Sequence, residues 1–175
     1  RAELDELKTE FKSDARPWVS SGYWSLKEGD VERAHIAFRH AHRLDAKNIK
    51  ALMGLGICAD KQQQHPQAQA FYQRGLVLDN DNIKLKNNLA LSYIFSQQPK
   101  LAIKLLEPIV NNRASVLSTA TASPTELTRI RSNLSLAYTM NKQFRKAYEV
   151  DKELHGEYGA HKNSLSAKAI IPGQQ

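Results

Sequence analysis

Apolar and polar positions alternate with helical spacing along much of the chain, and the pattern repeats. The stretch 49–82 contains a helix rich in small residues, a turn marked by Pro66, a second amphipathic helix and an Asp/Asn stop. The stretch before it has the same plan, and Gly22 precedes Gly56 by 34 positions (56 − 22). The other matched pairs are Ala34 with Ala68, Phe38 with Tyr72, Ala41 with Gly75, Leu44 with Leu78 and Asp45 with Asp79. Small residues allow antiparallel helices to approach closely and aromatic residues fill the seam, so we expect a series of helical hairpins.

A period of 34 residues is typical of the tetratricopeptide repeat, a helical hairpin that becomes stable when it stacks on further copies. We therefore predict an all-α fold, a right-handed α-solenoid of about four such hairpins with an N-terminal helix and a C-terminal capping helix. The predicted divisions are the N-terminal helix 1–14, repeats at 15–48, 49–82, 83–112 and 124–155, an inserted loop at 113–123, and a capping helix with a tail at 156–175.

Proline and capping residues mark the expected helix ends. Asp14 and Pro17 suit the start of a helix, and Ser123 to Glu126 have the spacing of a capping box, with a proline at the first helical position. Pro108 lies late in a predicted helix, where it removes a backbone donor. We expect it to kink or end that helix.

Composition and charge exclude several classes of protein. The chain carries a net charge of +7, but it has no Arg/Lys run and no interleaved aromatic residues, so we expect no nucleic-acid partner. No apolar run reaches the roughly 18–20 residues of a membrane span. The single cysteine, Cys58, excludes an internal disulfide, and its small neighbours predict that it packs as a small apolar residue.

No pattern of metal ligands or catalytic groups stands out. His35 and His42 share a helix face at i, i+7, a spacing too long for one ion without a ligand between them, and we interpret the histidines as surface residues. No nucleophile, base and orienting carboxylate occupy adjacent phases, and there is no glycine-rich phosphate loop. The sequence therefore predicts no metal site, no cofactor and no enzymatic activity.

The first helix of each repeat is predicted to line the concave face of the solenoid. The predicted partner-binding residues are Tyr23, Lys50, Met53, Ile57, Lys84, Asn87, Asn88, Leu91, Arg129, Asn133, Leu136 and Met140. The residues of one shared phase are Tyr23, Ile57, Leu91 and Leu136. This apolar strip, flanked by cations and amides, favours a protein partner that supplies a peptide or helix with apolar anchors and some acidic character. The open alternative is a solvated inner surface, or one covered by the chain's own terminal helix.

The second half of the chain resembles a particular family of tetratricopeptide proteins. The runs Asn87–Tyr93 (NNLALSY), Leu105–Val110 (LLEPIV) and Arg129–Ala147 (RIRSNLSLAYTMNKQFRKA), with the loop between the last two, are similar to the TadD lipoproteins of the tight-adherence (Flp) pilus system. The resemblance implies a lipoprotein at the periplasmic face of the outer membrane that assists assembly or localisation of the pilus secretin. Contact with the membrane is then expected only through a lipid anchor outside this chain. Two other hypotheses stay open: a self-assembling scaffold, and a cytoplasmic chaperone of another secretion or pilus system.

Overall fold

The described part of the chain consists of helices joined by short turns. The computed structural model describes residues 14–112 and 123–152. Its helices are α1 (Arg16–Glu28), α2 (Val31–Leu44), α3 (Ile49–Lys61), α4 (His65–Leu78), α5 (Ile83–Phe95), α6 (Pro99–Asn111), α7 (Pro124–Met140) and α8 (144–152). No strand occurs in these two ranges, which confirms the predicted all-α architecture. The predicted N-terminal helix, the capping helix and most of the inserted loop lie outside the described residues.

Packing divides the chain into two compact units, with the boundary between Leu85 and Lys86. Unit 1 contains α1 to α4 and the first residues of α5, and unit 2 contains the rest of α5 with α6 to α8. Within unit 1, α1 packs on α2, α2 on α3 and α3 on α4, while in unit 2 α6 packs on α7. The boundary therefore lies inside a helix, close to the predicted start of the third repeat.

The core of unit 1 is built around Phe38, whose ring is fully buried between two glycines. A Cβ atom added to Gly22 of α1 would lie 2.6 Å from a ring carbon, and one added to Gly54 of α3 would also collide with this ring. The same relationship recurs in the next repeat, where Gly56 lies against the buried ring of Tyr72. The prediction that small residues permit a close approach of the helices is thus confirmed. The other buried residues of this core are Ala15, Val19, Ala34, Ala41, Ala51, Leu55 and Cys58.

The turns that lead into α3 and α5 are closed by the same pair of side chains. At the starts of α3 and α5, Asn48 and Asn82 each accept a hydrogen bond from the backbone N–H three residues later, at 3.0 Å in both cases. Each asparagine also donates to an aspartate three residues earlier, Asn48 to Asp45 at 3.3 Å and Asn82 to Asp79 at 2.9 Å. The repeated Asp/Asn stop therefore ends one hairpin and begins the next helix.

The turn inside each hairpin contains one residue with a left-handed backbone. These residues are Gly29 (φ 85°), Gln63 (φ 62°), Gln97 (φ 61°) and Lys142 (φ 60°). Among these four, Gly29 adopts the conformation without the steric cost that a Cβ atom introduces. The other three turns therefore store local strain, which the packing of the hairpin overcomes.

Three predicted helix ends have different outcomes. The capping box of α7 is confirmed, because Glu126 N–H donates to Ser123 Oγ at 3.2 Å and Ser123 N–H donates to Glu126 Oε2 at 2.8 Å. Pro108 does not end its helix, since α6 continues for three more residues. Asp14 caps the start of α1 as predicted, because its Oδ1 accepts a hydrogen bond of 2.9 Å from the backbone N–H of Arg16, although the residue directly before the helix is Ala15.

Candidate functional site

The predicted partner-binding residues lie on α1, α3, α5 and α7, the first helices of the four hairpins. In unit 1 they are Tyr23 on α1, Lys50, Met53 and Ile57 on α3, and Lys84 at the start of α5. In unit 2 they are Asn87, Asn88 and Leu91 on α5, and Arg129, Asn133, Leu136 and Met140 on α7. Each unit therefore carries one group, which lies on three helices in unit 1 and on two in unit 2.

In unit 1, Tyr23 links α1 to α3. Its ring meets Phe38 edge to face, with ring centroids 4.9 Å apart. Its hydroxyl donates a hydrogen bond of 3.1 Å to the backbone oxygen of Lys50. Burial raises the pKa of Tyr23 to about 12, so the phenol stays protonated and can donate at neutral pH. Tyr23 is thus a packing residue of the core as well as a member of the predicted partner-binding group.

The other unit 1 residues combine apolar surface with positive charge. Lys50, Met53 and Ile57 are spaced i, i+3, i+7 and therefore share one face of α3. Met53 and Ile57 are half-buried, while the side chains of Lys50 and Lys84 are exposed. This face can provide a shallow apolar contact beside a cation, which suits an apolar anchor next to a carboxylate.

In unit 2, two of the predicted amides bind each other. Asn133 Nδ2 donates a hydrogen bond of 2.8 Å to Asn87 Oδ1, which joins α7 to α5. Asn87 is only 8% exposed. Its side chain therefore orients Asn133 and does not itself lie on the surface. The prediction that Asn87 faces a partner is wrong in this respect.

The remaining unit 2 residues provide the accessible part of this group. Leu136 is 44% exposed, and Leu91 and Met140 are half-buried. Arg129 is exposed on the same helix as Leu136. Unit 2, like unit 1, thus has a partly exposed apolar side chain on the same helix as an exposed cation, seven positions away.

Unit 2 also contains a pocket that the sequence pattern did not indicate. The pocket has a volume of about 340 Å³ and lies against α6, α7 and α8. Tyr138 OH donates to Glu107 Oε1 at 2.6 Å, and Lys146 Nζ lies 3.3 Å from the same oxygen. The hydrogen bond from Tyr138 is the main reason that the pKa of Glu107 lies below its ordinary value, and Lys146 adds to it. Because both partners are more than 30 positions from Glu107, no local spacing could reveal this network.

A second polar network fastens α3 to α4 in unit 1. Tyr72 OH donates to Asp60 Oδ2 at 3.1 Å, and His65 Nδ1 lies 2.9 Å from Asp60 Oδ1. Burial and the neighbouring Asp60 raise the pKa of Tyr72 far above its ordinary value, so its hydroxyl remains a donor. These groups bind one another across the hairpin, an arrangement that serves packing.

Other chemistry-bearing residues of the described ranges are dispersed or enclosed. Cys58 is fully buried, which confirms its predicted packing role, and burial raises the pKa of its thiol to about 11. The histidines at 35, 40, 42 and 65 are partly buried, and so are not simple surface residues. Within 14–112 and 123–152, no three side chains of His, Cys, Asp or Glu are grouped to hold a metal ion. No helix in these ranges is both long enough and apolar enough to cross a membrane.

Comparison with known proteins identifies the fold. The chain matches no family model and no curated protein. It is similar to YrrB, a tetratricopeptide protein described as having an unusual peptide-binding site, with a TM-score of 0.69 and 20% identity over 94% of this chain and 81% of that one. It is also similar to PilF of Pseudomonas aeruginosa, with a TM-score of 0.70 and 18% identity over 92% of this chain and 78% of that one.

A third solved structure belongs to an enzyme. The O-GlcNAc transferase of Thermobaculum terrenum matches with a TM-score of 0.69 and 18% identity, over 80% of this chain but 25% of the transferase. This chain thus corresponds to a quarter of that protein, which gives no ground for assigning its reaction here. At these identities the similarity is one of fold, and it confirms that the chain is an α-solenoid of the tetratricopeptide type.

Proposed function

We propose that the chain is a non-catalytic scaffold that binds a segment of a protein partner on the first helices of its repeats. The observation that carries this proposal is the recurrence of one arrangement in both units. A side-chain hydrogen bond joins neighbouring first helices, through Tyr23 to α3 in unit 1 and through Asn133 to α5 in unit 2. On the same helices, apolar side chains stay partly exposed and cations are exposed. Helices that are fixed in this way present a preorganised surface, which lowers the entropic cost of binding.

The chemistry of these surfaces defines the partner. Ile57 and Leu136 offer apolar contact, and Lys50 and Arg129 supply positive charge within two or three turns of the same helices. An amphipathic helix or extended peptide with apolar anchors and acidic neighbours matches both features. Fold similarity to YrrB, which is described as having a peptide-binding site, is consistent with this class of ligand.

The proposed partner is the outer-membrane secretin of a tight-adherence pilus. What supports this finer proposal is the resemblance of 87–147 to the TadD lipoproteins, together with the proline in α6 and the loop that follows it. In this proposal the protein faces the periplasm from the outer membrane, held by a lipid anchor outside this chain, and it assists assembly or localisation of the secretin.

Paired substitutions on the first helices test the proposed surface. Leu136→Ser with Arg129→Glu alters unit 2, and Ile57→Ser with Lys50→Glu alters unit 1. The matched control is Leu101→Ser with Lys100→Glu on α6, since Leu101 is 41% exposed and Lys100 is exposed, but neither lies on a first helix. Binding of the purified secretin from the same genome is measured by fluorescence anisotropy, with helicity checked by circular dichroism.

We expect each first-helix pair to weaken binding by at least about tenfold, the equivalent of 1.4 kcal/mol, and the α6 pair to change it by less than about twofold. Equal losses in all three variants would place the interaction elsewhere on the chain. If the secretin does not bind but the isolated chain associates with itself in sedimentation experiments, the self-assembling scaffold is the better description. A cytoplasmic chaperone is excluded if the full-length gene product begins with a signal that ends in a lipidated cysteine.

A further inference from the structure

An open basic pocket lies at the C-terminal end of α2, away from the first helices. Its volume is about 570 Å³, and it is lined by Arg39, His42, Arg43 and Ala46. The pocket is a shallow depression that is open to solvent. Arg74 of α4 is not among the lining residues, but it contacts His42. The pocket thus belongs to the second helix of the first repeat, and it is independent of the partner-binding surface on the first helices.

The contact between Arg74 and His42 fixes the tautomer of the histidine. Arg74 Nη2 lies 3.1 Å from His42 Nε2. A guanidinium group can only donate, so His42 Nε2 must accept, and the proton of the neutral imidazole then sits on Nδ1. Burial, with Arg74 adding to it, lowers the pKa of His42 against the opposing effect of Asp45, which keeps this ring neutral at pH 7.

The Nδ1 atom of His42 is a buried donor without an acceptor. It has no hydrogen-bond partner among the described residues. Leaving a buried donor unsatisfied costs about 1–3 kcal/mol, and native structures seldom accept that cost without a reason. His42 itself lines the pocket, so a small movement of its ring toward an acceptor held there would remove this penalty.

Positive charge around the pocket is not balanced. Arg39 and Arg43 are exposed, are spaced i, i+4 on α2, and make no ion pair within the described residues, so they repel each other. Arg74 adds a third guanidinium group. The carboxylate whose charge raises the pKa of His42 is that of Asp45. Its oxygens already accept hydrogen bonds from Lys47 N–H at 3.0 Å and from Asn48 Nδ2 at 3.3 Å.

We propose that this pocket binds a phosphate group, carried by a soluble phosphate compound or by an anionic phospholipid headgroup. A phosphate offers three or more acceptor oxygens and up to two negative charges. It can therefore accept from two arginine forks at the same time and, once the ring of His42 has moved enough to expose Nδ1, from that N–H as well. A carboxylate has one charge and two oxygens, and it leaves part of this donor set unsatisfied. The sequence did not indicate the pocket because Arg74 is 32 positions from His42, and no basic run joins them.

Titration of the intact chain with inorganic phosphate tests the proposal. The ionic strength is held constant with sodium chloride, and NMR spectra follow the imidazole of His42 and the guanidinium Nε–H signals of Arg39 and Arg43. We expect saturable shifts that are largest at His42, with slower exchange of its Nδ1 proton. Arg39→Gln with Arg43→Gln is expected to weaken binding by at least about tenfold, because each charge-assisted hydrogen bond contributes about 1.5–3 kcal/mol.

A matched pair of cations elsewhere serves as the control. Lys100 and Lys104 are also exposed and spaced i, i+4, on α6, and Lys100→Gln with Lys104→Gln is expected to change phosphate affinity by less than about twofold. Retained affinity in the arginine variant, or an equal loss in the lysine variant, would overturn the proposal. So would shifts at His42 that sodium acetate reproduces at the same concentration.

Vesicles distinguish the two sources of phosphate. Cosedimentation is measured with phosphatidylcholine vesicles, with and without phosphatidic acid. Binding that requires phosphatidic acid and is lost in the arginine variant assigns the site to a lipid headgroup. Saturable binding of inorganic phosphate without vesicle binding assigns it to a soluble compound. Failure of both arms refutes the site, and neither arm bears on whether the secretin binds the first helices.

Discussion

The side-chain amide of Asn133 donates a 2.8 Å hydrogen bond to Asn87, and this contact joins α7 to α5 across 46 positions of sequence. Both residues are predicted partner-binding groups, yet Asn87 is almost fully buried. The pair therefore has a structural function before any partner arrives, since it fixes the distance between the first helices of the third and fourth repeats. Tyr23, which reaches the backbone oxygen of Lys50, has the corresponding function in unit 1.

A double-mutant cycle measures the contribution of this amide pair. Asn133→Ala removes the donor and leaves the buried Asn87 oxygen without that partner, so we expect it to lower the free energy of unfolding by about 1–3 kcal/mol. In the Asn87→Ala background the same change should cost less, with a coupling energy of about 0.5–1.5 kcal/mol. Urea denaturation followed by circular dichroism provides the values. Asn88→Ala, at the neighbouring half-buried amide, is the control, and an equally large loss there would contradict a specific role for the pair.

A methyl group at Gly22 is expected to destabilise unit 1 although it favours helix formation. In a helix interior, alanine stabilises the helix by about 1 kcal/mol relative to glycine. The new Cβ atom would lie 2.6 Å from the ring of Phe38, however, and that ring cannot retreat because Gly54 lies against it on α3. Overpacking typically costs about 1–3 kcal/mol, and a contact this short is at the upper end. We therefore predict that Gly22→Ala lowers the free energy of unfolding by about 1–2 kcal/mol, measured by thermal or urea unfolding. A stability gain would show that the helices can separate without cost.

The strained turn of the third hairpin offers a stabilising substitution. Gln97 has a left-handed backbone with φ 61°, as Gly29 has at the equivalent turn of the first hairpin. A left-handed conformation costs a residue with a Cβ atom about 1–2 kcal/mol, but glycine loses more backbone entropy on folding. We expect Gln97→Gly to raise the free energy of unfolding by about 0.5–1 kcal/mol. The reverse change, Gly29→Gln, should lower it by a similar amount, and opposite signs in the two denaturation curves are the decisive result.

Stability in alkaline solution should depend on Tyr23. Its ordinary pKa of 10.0 is raised to about 12 by burial in the folded chain. The folded state thus keeps a proton that the unfolded state releases, so the stabilising contribution is complete below pH 10 and is lost as the pH rises from 10 to 12. In this window Tyr23→Phe should flatten the decline in unfolding free energy by about 1.4 kcal/mol per pH unit.

Unfolding in urea at several pH values from 9 to 12 compares the two chains. The Phe variant also loses the hydrogen bond to the backbone oxygen of Lys50, which lowers its stability at every pH below the transition. The informative quantity is therefore the slope and not the absolute free energy. Parallel curves for the wild type and Tyr23→Phe would mean that the phenol does not titrate with folding.

The repeat architecture could be predicted from the sequence because the residues that pack each hairpin recur at a fixed spacing along the chain. Phe38 and Tyr72 occupy matched positions 34 residues apart, and each meets a glycine on the helix before it, Gly22 and Gly56 respectively. The capping residue Ser123 was also recognisable, since a capping box involves atoms within one turn of helix. The placement of the predicted partner-binding residues on first helices is also a matter of helical phase, and their role stays a prediction.

The exposure of individual side chains and their contacts were decided by tertiary structure. Phase alone placed Asn87 and Asn133 on one surface, but the rotation of α5 and its distance from α7 bury the first and leave the second partly exposed. The pairing of Tyr138 with Glu107, and of Arg74 with His42, depends in the same way on how neighbouring helices pack.

The sequence by itself thus determined where helices begin, which positions must be small, and where hairpins repeat, because short-range sterics and capping impose those features locally. The structure alone decided which polar groups are buried, which ones satisfy each other and where positive charge accumulates. Such relationships join residues some 30 to 46 positions apart, and a rotation of one helix by a fraction of a turn would change them without altering the repeat pattern.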